Sequence, residues 1–517
     1  MDKAIELNED FLHALRLMED SNRHVFITGK AGSGKSTLLQ YFRENSRKRV
    51  VVLAPTGIAA INAGGQTIHS FFNFKPEVTP DTVSKIRPKE PEIYKKIDTI
   101  IIDEVSMVRA DLFDSIDIFL RRNGRERRKP FGGIQMVFIG DLYQLPPVVR
   151  AKEKALFKTL YKSPYFFDSK AFHDIEPEFV ELQKVYRQKD ESFINLLNKI
   201  RNNTISDDDI MRLNMRVMPD FRPSGDDFYI HLTTTNDLAD NINMERLTEI
   251  KGKEYRFEGY IDGDFPENDL PTNPVLTLKR GAQVMLLNND SYGRWVNGSI
   301  GRIEDFVRDN EEDIIVVQLS DGEVVEVTPF RWDIFEYVYD EKVGRLSSRT
   351  AGSFTQYPIR LSWAVTIHKS QGKTFDKVII DLGRGTFAHG QVYVALSRCT
   401  SFDGIVLKKP LKKGHILMDW RVVDFITRYQ YAVSERNCPF DEKVAIIKDA
   451  IKKRQQIEIV YLKKKDEKSR RVVMPLSVGE MHYEGKDFIG LKAFCNLRGD
   501  ERNFRIDRIL KVRVVGD

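Results

Sequence analysis

The sequence predicts an α/β protein: two sheet-and-helix domains in tandem, small β-rich insertions, and a separate β-rich module at the C-terminus. Three observations lead there. Short β-branched runs alternate with helix-like stretches. Most of these runs stop abruptly at small or polar residues. Near residues 300–345, and again beyond about 446, the pattern changes to paired strands. Alternating strands and helices argue for parallel sheets covered on both faces. Ligands of such sheets bind beyond the carboxyl ends of the strands.

Taken in order, His24–Thr28 runs into Gly29, Val50–Ala54 into Pro55-Thr56-Gly57, Thr99–Ile102 into Asp103-Glu104, and Met136–Ile139 into Gly140-Asp141. Ser36–Glu44 is helix-like. A second set follows: Asp227–Leu232 before Thr233-Thr234-Thr235-Asn236, Val378–Asp381 before Leu382-Gly383, and Gly404–Leu407. Between them, Ile314–Leu319 and Glu323–Val327 flank Asp321-Gly322 and read as a hairpin with a tight turn. That places a small β-barrel inside the second α/β domain.

The bulk properties narrow the class. The chain has 517 residues, room for about three to five domains. With 41% hydrophobic and 30% charged residues it has an ordinary globular balance. It lacks an apolar run of the roughly 18 residues that a membrane span needs, and its first ten residues have no signal-peptide core. Cys399, Cys438 and Cys495 are far apart, which suits a reducing compartment and cannot alone make a four-ligand zinc site. The net charge of +5 is concentrated at the end: residues 441–517 hold 19 Lys and Arg against 13 Asp and Glu, leaving 62 and 63 elsewhere. A polyanion partner and a solvated basic surface account for this equally well.

Gly29-Lys30-Ala31-Gly32-Ser33-Gly34-Lys35-Ser36 fits G-x-x-x-x-G-K-[ST], between a strand and a helix as the chemistry requires. Its glycines let backbone N–H groups curl around phosphate oxygens, Lys35 reaches the β- and γ-phosphates, and the next helix points its positive end at the anion. Ser36 offers a hydroxyl to Mg²⁺. Asp103 is expected in the metal shell, with Glu104 orienting and deprotonating the attacking water.

Further segments join this loop: Ala54–Ala60, Gly65–Phe72, Ile102-Asp103-Glu104, Pro130–Gly133, Gly140-Asp141 with Gln144–Val148, Val185-Tyr186-Arg187-Gln188, Thr366–Thr374 and Val392–Arg398. Read together, the chain over roughly residues 5–420 resembles the petite-integration-frequency (PIF-type) helicases of superfamily 1B, cousins of the RecD-like enzymes. The resemblance implies ATP-dependent 5′→3′ translocation on single-stranded DNA and unwinding of duplexes, tailed or forked, with quadruplexes among the family's substrates. It implies two tandem RecA-like P-loop domains. The first covers 1–180 with a wedge insert at about 74–97. The second covers 181–430 with an SH3-like β-barrel insert at about 302–355. A linker is expected at 431–445.

By the same resemblance, Lys35, Asp103, Glu104, Gln144, Arg187 and Arg398 form the catalytic set, with Arg187 and Arg398 as arginine fingers. Such fingers are worth about 10³–10⁵ in rate. Gly29, Ala31, Gly32, Ser33, Gly34, Lys35, Ser36, Thr37, Gln371 and Gly372 would hold ATP, and Ser36 and Asp103 Mg²⁺. Thr56, Gly57, Thr67, His69 and Ser70 of the first domain, and Thr234, Thr235, His368, Lys369 and Ser370 of the second, would contact DNA. Phe71, Phe72 and Phe74 either stack a base or are core, and Arg121–Lys129 reads as a solvated helix end. Leu7–Phe11 lacks the adenine-reading glutamine that many relatives carry ahead of the loop.

Residues 446–517 resemble a WYL domain, a small Sm-like β-barrel of bacterial regulators, with the naming triplet altered to Asp487-Phe488-Ile489. Arg498, Arg502, Arg505 and Arg508 either bind single-stranded DNA or nucleotide, or pair with Asp500, Glu501 and Asp507. A monomeric, cytoplasmic, nucleoid-associated bacterial motor is expected. Its rivals are a DNA-stimulated ATPase that remodels protein–DNA complexes without unwinding, and a regulatory binding protein with a vestigial motor. The intact catalytic set argues against the latter.

Overall fold

The computed structural model describes residues 7–515 except 76–77, 89, 150–152, 189, 225–226, 310–311, 341–344, 383–384, 387, 464–465 and 484. Gly383 and part of the charged stretch 463–471 therefore fall outside the described residues. Two compact units result: Met1–Arg201 with Ile205–Leu417, and Asn202–Thr204 with Met418–Asp517.

The first sheet of the larger unit holds β1 (Val25–Gly29), β2 (Val50–Ala54), β3 (Gln66–Thr67), β4 (Thr99–Ile102), β5 (Gln135–Ile139) and β6 (Glu178–Leu182). Its order is β3-β2-β4-β5-β1-β6, and every pairing is parallel. β1, β4 and β5 are buried along their whole length, which is why they are rich in Val, Ile and Phe. Val25 and Ile27 share one core with Phe11, Met18, Leu38 and Phe42 of the helices Glu9–Asp20 and Lys35–Asn45. Phe26, pointing the other way, meets Phe166, which in turn meets Phe113 and Phe138.

The second sheet starts with β7 (Ile230–Thr233). A β insertion follows: β8 (Glu254–Glu258), β9 (Tyr260–Gly263), β10 (Val275–Lys279), β11 (Gln283–Leu286), β12 (Ile300–Asp309), β13 (Glu312–Leu319), β14 (Val324–Val327), β15 (Phe330–Asp340), β16 (Arg345–Gln356) and β17 (Ile359–Leu361). The expected hairpin is β13–β14, antiparallel, inside a five-stranded sheet β14-β13-β12-β11-β17. The insertion begins at Glu254 rather than near 302, because Leu276, Leu278 and Val284 fill the same core as Ile303 and Val317. The domain then resumes with β18 (Ala364–Thr366), β19 (Val378–Asp381) and β20 (Ile405–Leu407), in the parallel order β18-β7-β19-β20. These are two RecA-like domains. Their strands end where the sequence's polar residues lie.

The smaller unit contains β21 (Ile457–Leu462), β22 (Lys468–Tyr483), β23 (Lys486–Cys495), β24 (Asp500–Arg505) and β25 (Ile509–Val514), an antiparallel sheet of order β24-β23-β22-β21-β25. The stretch 431–445 is not an extended linker. The helices Trp420–Asn437 and Phe440–Lys453 occupy it, broken only at Cys438-Pro439. The second helix buries Ile447 and Ala450 among Ile457, Ile459, Leu491 and Phe504, so it is part of this fold. Accordingly the larger unit ends at Leu417, not at 430.

Candidate nucleotide site and nucleic-acid track

The phosphate loop links β1 to the helix Lys35–Asn45. Gly32 and Gly34 take φ of +78° and +87°, the left-handed region that glycine tolerates. A Cβ on Gly32 would also lie 2.5 Å from Cβ of Arg187. Lys35 Nζ donates to the carbonyls of Gly29 (2.8 Å) and Lys30 (3.0 Å). Burial lowers its pKa, against the pull of Asp141, Glu104 and Asp103. Ser36 and Thr37 are exposed at the helix start, and the buried hydroxyls of Thr28 and Ser33 have no partner among the described residues. Asn8 Oδ1 caps the helix Glu9–Asp20 while its Nδ2 donates to Tyr186 Oη at 3.0 Å, and the Phe11 ring packs over Gly34.

Two carboxylates face this loop from the end of β4. Asp103 Oδ1 accepts the Glu104 N–H at 2.9 Å, and Glu104 holds φ +49°, a strained conformation for a non-glycine residue. Burial is the largest cause that pushes the Glu104 carboxyl up to about 7. Asp103 adds to it, and Lys35 and Arg398 oppose it. Burial raises Asp103 as well. A third carboxylate, Asp141, accepts from the Tyr143 N–H (3.1 Å), Gln144 Nε2 (3.3 Å) and Arg201 Nη2 (3.5 Å).

The second domain closes the site. Gln371 Nε2 donates to Glu104 Oε2 (3.3 Å) and to Gln144 Oε1 (3.2 Å). Arg187 lies at the seam, where its guanidinium donates to the carbonyls of Ser397 (3.3 Å) and Gly372 (3.4 Å). Arg398 is fully buried and donates to the carbonyls of Val394 (3.0 Å), Lys373 (3.2 Å) and Ser370 (3.4 Å) and to Ser397 Oγ (3.0 Å). Burial and the neighbouring Arg187 bring it down to about 9. The structure thus gathers Lys35, Asp103, Glu104, Gln144, Arg187, Gln371 and Arg398 in one place. Asp141, Gln188 and Tyr393 complete it, although the sequence reading did not select them. Gln188 Nε2 donates to the carbonyls of Ser397 and Cys399, both at 3.1 Å. All three lie in motif segments, Gly140-Asp141, Val185–Gln188 and Val392–Arg398, the signal that could have found them. Oxygen donors of this kind, from Ser36 and Asp103, suit Mg²⁺.

Thr56, Gly57, Thr67, His69 and Ser70 line a cavity of about 900 Å³. Across it stand Asp264, Asp269, Asp333 and Glu336 of the insertion. Thr56, Thr67 and Thr235 accept N–H groups of the helices that follow them, so each hydroxyl keeps a proton to donate. Thr234 is half-buried, His368 likewise, and Lys369 exposed. One expectation fails. Ser370 is fully buried and its Oγ donates to the Ile367 carbonyl at 2.8 Å, so it has no open face. Gly57 lies against Asp269 on the cavity wall. Phe71, Phe72 and Phe74 are all core, packed with Tyr94 and Phe119. Arg121 and Arg125 are ion-paired with Asp117, Asp174 and Asp98.

In the smaller unit, Arg502 pairs with Asp500 (2.9 Å) and Arg505 with Asp507 (2.6 Å), as the pairing alternative has it. Arg505 also lies over the Phe488 ring, 5.0 Å from its centre. Arg498 is exposed and Arg508 half-buried.

Two RecA-like domains that share a phosphate loop, an acidic pair and two arginines define the tandem-domain class of P-loop proteins. The comparisons make this specific. A family model described as PIF1-like helicase matches residues 8–210, and the WYL domain model matches 442–514. The ATP-dependent DNA helicase Pif1 of Bdellovibrio bacteriovorus is 32% identical over 439 residues, 82% of this chain and 93% of that one. The human ATP-dependent DNA helicase PIF1 is 35% identical over 411 residues, 77% of this chain, and the chain spans 60% of its length. The crystal structure of Bacteroides sp Pif1 with ADP-AlF4 is 38% identical, with a TM-score of 0.75 over 82% of this chain and 97% of that one. The chain belongs to the PIF1-like helicases and carries a C-terminal WYL domain.

Proposed function

We propose that the chain is an ATP-dependent DNA helicase that moves 5′→3′ on single-stranded DNA and unwinds tailed or forked duplexes, with G-quadruplexes as further substrates. The observation that carries it is the shared pocket: Gln371 of the second domain bridges Glu104 and Gln144 of the first. A group bound there feels both domains, so its cleavage changes their spacing.

The residues divide the work. The loop N–H groups and Lys35 hold the phosphates, and Lys35 leaves its two carbonyls to do so. Ser36 and Asp103 would hold Mg²⁺, which when bound neutralises charge on the β- and γ-phosphate oxygens. Glu104, near neutrality in its proton affinity, takes the proton of the attacking water. Arg187 and Arg398 sit on carbonyls, poised to exchange them for the stronger charge-assisted contact with phosphate. Gln144 and Gln371 couple that event to the strand-end loops beside Thr56, Thr67, Thr234 and His368.

Those loops make sequence-neutral contacts to the DNA backbone. The four carboxylates across the 900 Å³ cavity must then give way to the polyanion. Bacteroides Pif1 bound to ssDNA gives a TM-score of 0.59, against 0.75 for the ADP-AlF4 complex. This difference supports a DNA-free arrangement of the domains here. The short helices Pro80–Val83 and Ile93–Lys96 serve as the wedge. The WYL domain strengthens the grip through Arg498 and Arg508 and the rings of Phe488 and Phe494, because basic and flat side chains together suit single strands. The working unit is one copy in the cytoplasm of a bacterium, at the nucleoid.

Strand displacement from matched duplexes with 5′ or 3′ tails tests the reading. Displacement from the 5′-tailed substrate alone, and only with ATP, is expected. ATP consumption without displacement of either would favour the remodelling translocase instead.

A further inference from the structure

Tyr393, on the helix Gln391–Ser397 of the second domain, is buried, and its hydroxyl accepts the backbone N–H of Ala31 at 3.0 Å. A phenol is both acceptor and donor. Here the acceptor side is used, and among the described residues the proton has no acceptor. Ala31 lies in the first turn of the phosphate loop, directly after the two residues whose carbonyls hold the Lys35 ammonium. That is the end of the loop at which the lysine of such motifs meets the terminal phosphate. Burial keeps the phenol protonated, pushing it up to about 12.

We infer that Tyr393 is a γ-phosphate ligand: its hydroxyl, anchored by the Ala31 N–H, donates its free proton to a γ-phosphate oxygen and so lets the second domain tell nucleoside triphosphate from diphosphate. This rests on the nucleotide site proposed above, but not on unwinding. No covalent step is involved. The bond to Ala31 exists with or without diphosphate, so it cancels from diphosphate affinity. Only the triphosphate gains the new one. A hydrogen bond to a charged group is worth enough to change affinity by at least about tenfold.

The test is Tyr393→Phe in the full chain, which keeps the buried ring and removes only the hydroxyl. Affinities for ADP and for β,γ-imido-ATP are measured by displacement of a fluorescent ADP, without DNA. Expected are an ADP affinity within about twofold of wild type and an imido-ATP affinity lower by about tenfold. Equal losses for both nucleotides, or no loss for either, would overturn the inference. ADP binding also reports that the variant's loop is folded. A wild-type chain that binds both nucleotides with this preference but unwinds nothing would refute the helicase reading and leave Tyr393 standing. A wild-type chain that binds neither would end both.

Discussion

Glu104→Gln is the perturbation with the most to lose, because the structure sets two effects of opposite sign. The carboxyl is held near 7 against an ordinary 4.5, chiefly by burial and the Asp103 beside it. A carboxyl raised in the folded state binds its proton more tightly than in the unfolded chain. Stability is therefore fullest below about 4.5 and falls as pH rises towards about 7. At ~1.36 kcal/mol per pH unit, the charged form costs about 3 kcal/mol by pH 8, and the partial access of water lowers this to about 2 kcal/mol. Glutamine removes that cost, so the variant should be more stable than wild type by about 2 kcal/mol at pH 8 and no more stable at pH 4. Its DNA-stimulated ATPase should fall by at least about 10², the contribution expected of a general base. In the wild type the rate should rise with pH as the carboxylate forms, and then level off. Urea unfolding at the two pH values and a steady-state ATPase profile measure these. A stability gain independent of pH, or a wild-type rate flat from pH 6 to 8, would refute the reasoning.

Other outcomes follow from single contacts. Gly32→Ala places a Cβ against Arg187 at φ +78°, and should lower nucleotide affinity by at least tenfold at about 1–2 kcal/mol of strain, read by equilibrium binding. Phe72→Ala opens the aromatic cluster with Phe74 and Phe119, which should cost about 3–5 kcal/mol in urea unfolding. Lys35→Ala should abolish strand displacement while leaving DNA binding by anisotropy largely intact. Removing residues 418–517, all of the smaller unit except Asn202–Thr204, should weaken single-strand binding and flatten its salt dependence, since fewer phosphates are neutralised.

The central strands of the two parallel sheets were legible because they are buried: β2, β4 and β19 occupy the residues expected of them, whereas the short β3 and β18 and the half-buried β6 were not foreseen. The proximity of Lys35, Asp103, Glu104, Gln144, Arg187, Gln371 and Arg398 was legible through the motifs that carry the resemblance, and the ends of β1, β4 and β5 bring the first four together. The start of the insertion was not. β8 alternates exposed and half-buried residues and β9 is wholly exposed, so neither gives the apolar signal of a core strand. Asn437-Cys438-Pro439 looks like a loop, and only the burial of Ile447 and Ala450 shows that the flanking helices belong to a fold. Ser370 stands inside a motif of polar residues, but its own backbone turn consumes its hydroxyl. Tyr393 sits in an apolar run, Val392–Leu396, where a tyrosine reads as core. Its hydroxyl has meaning only because a loop some 360 residues earlier arrives beside it.

The central claim is that one pocket, walled by both RecA-like domains, couples a nucleotide to a DNA strand. Steady-state ATP hydrolysis by the full chain, with and without an oligodeoxynucleotide, tests it most directly. The account predicts hydrolysis that rises when the oligonucleotide is added and disappears in Lys35→Ala. Hydrolysis indifferent to DNA, or none at all, would contradict it.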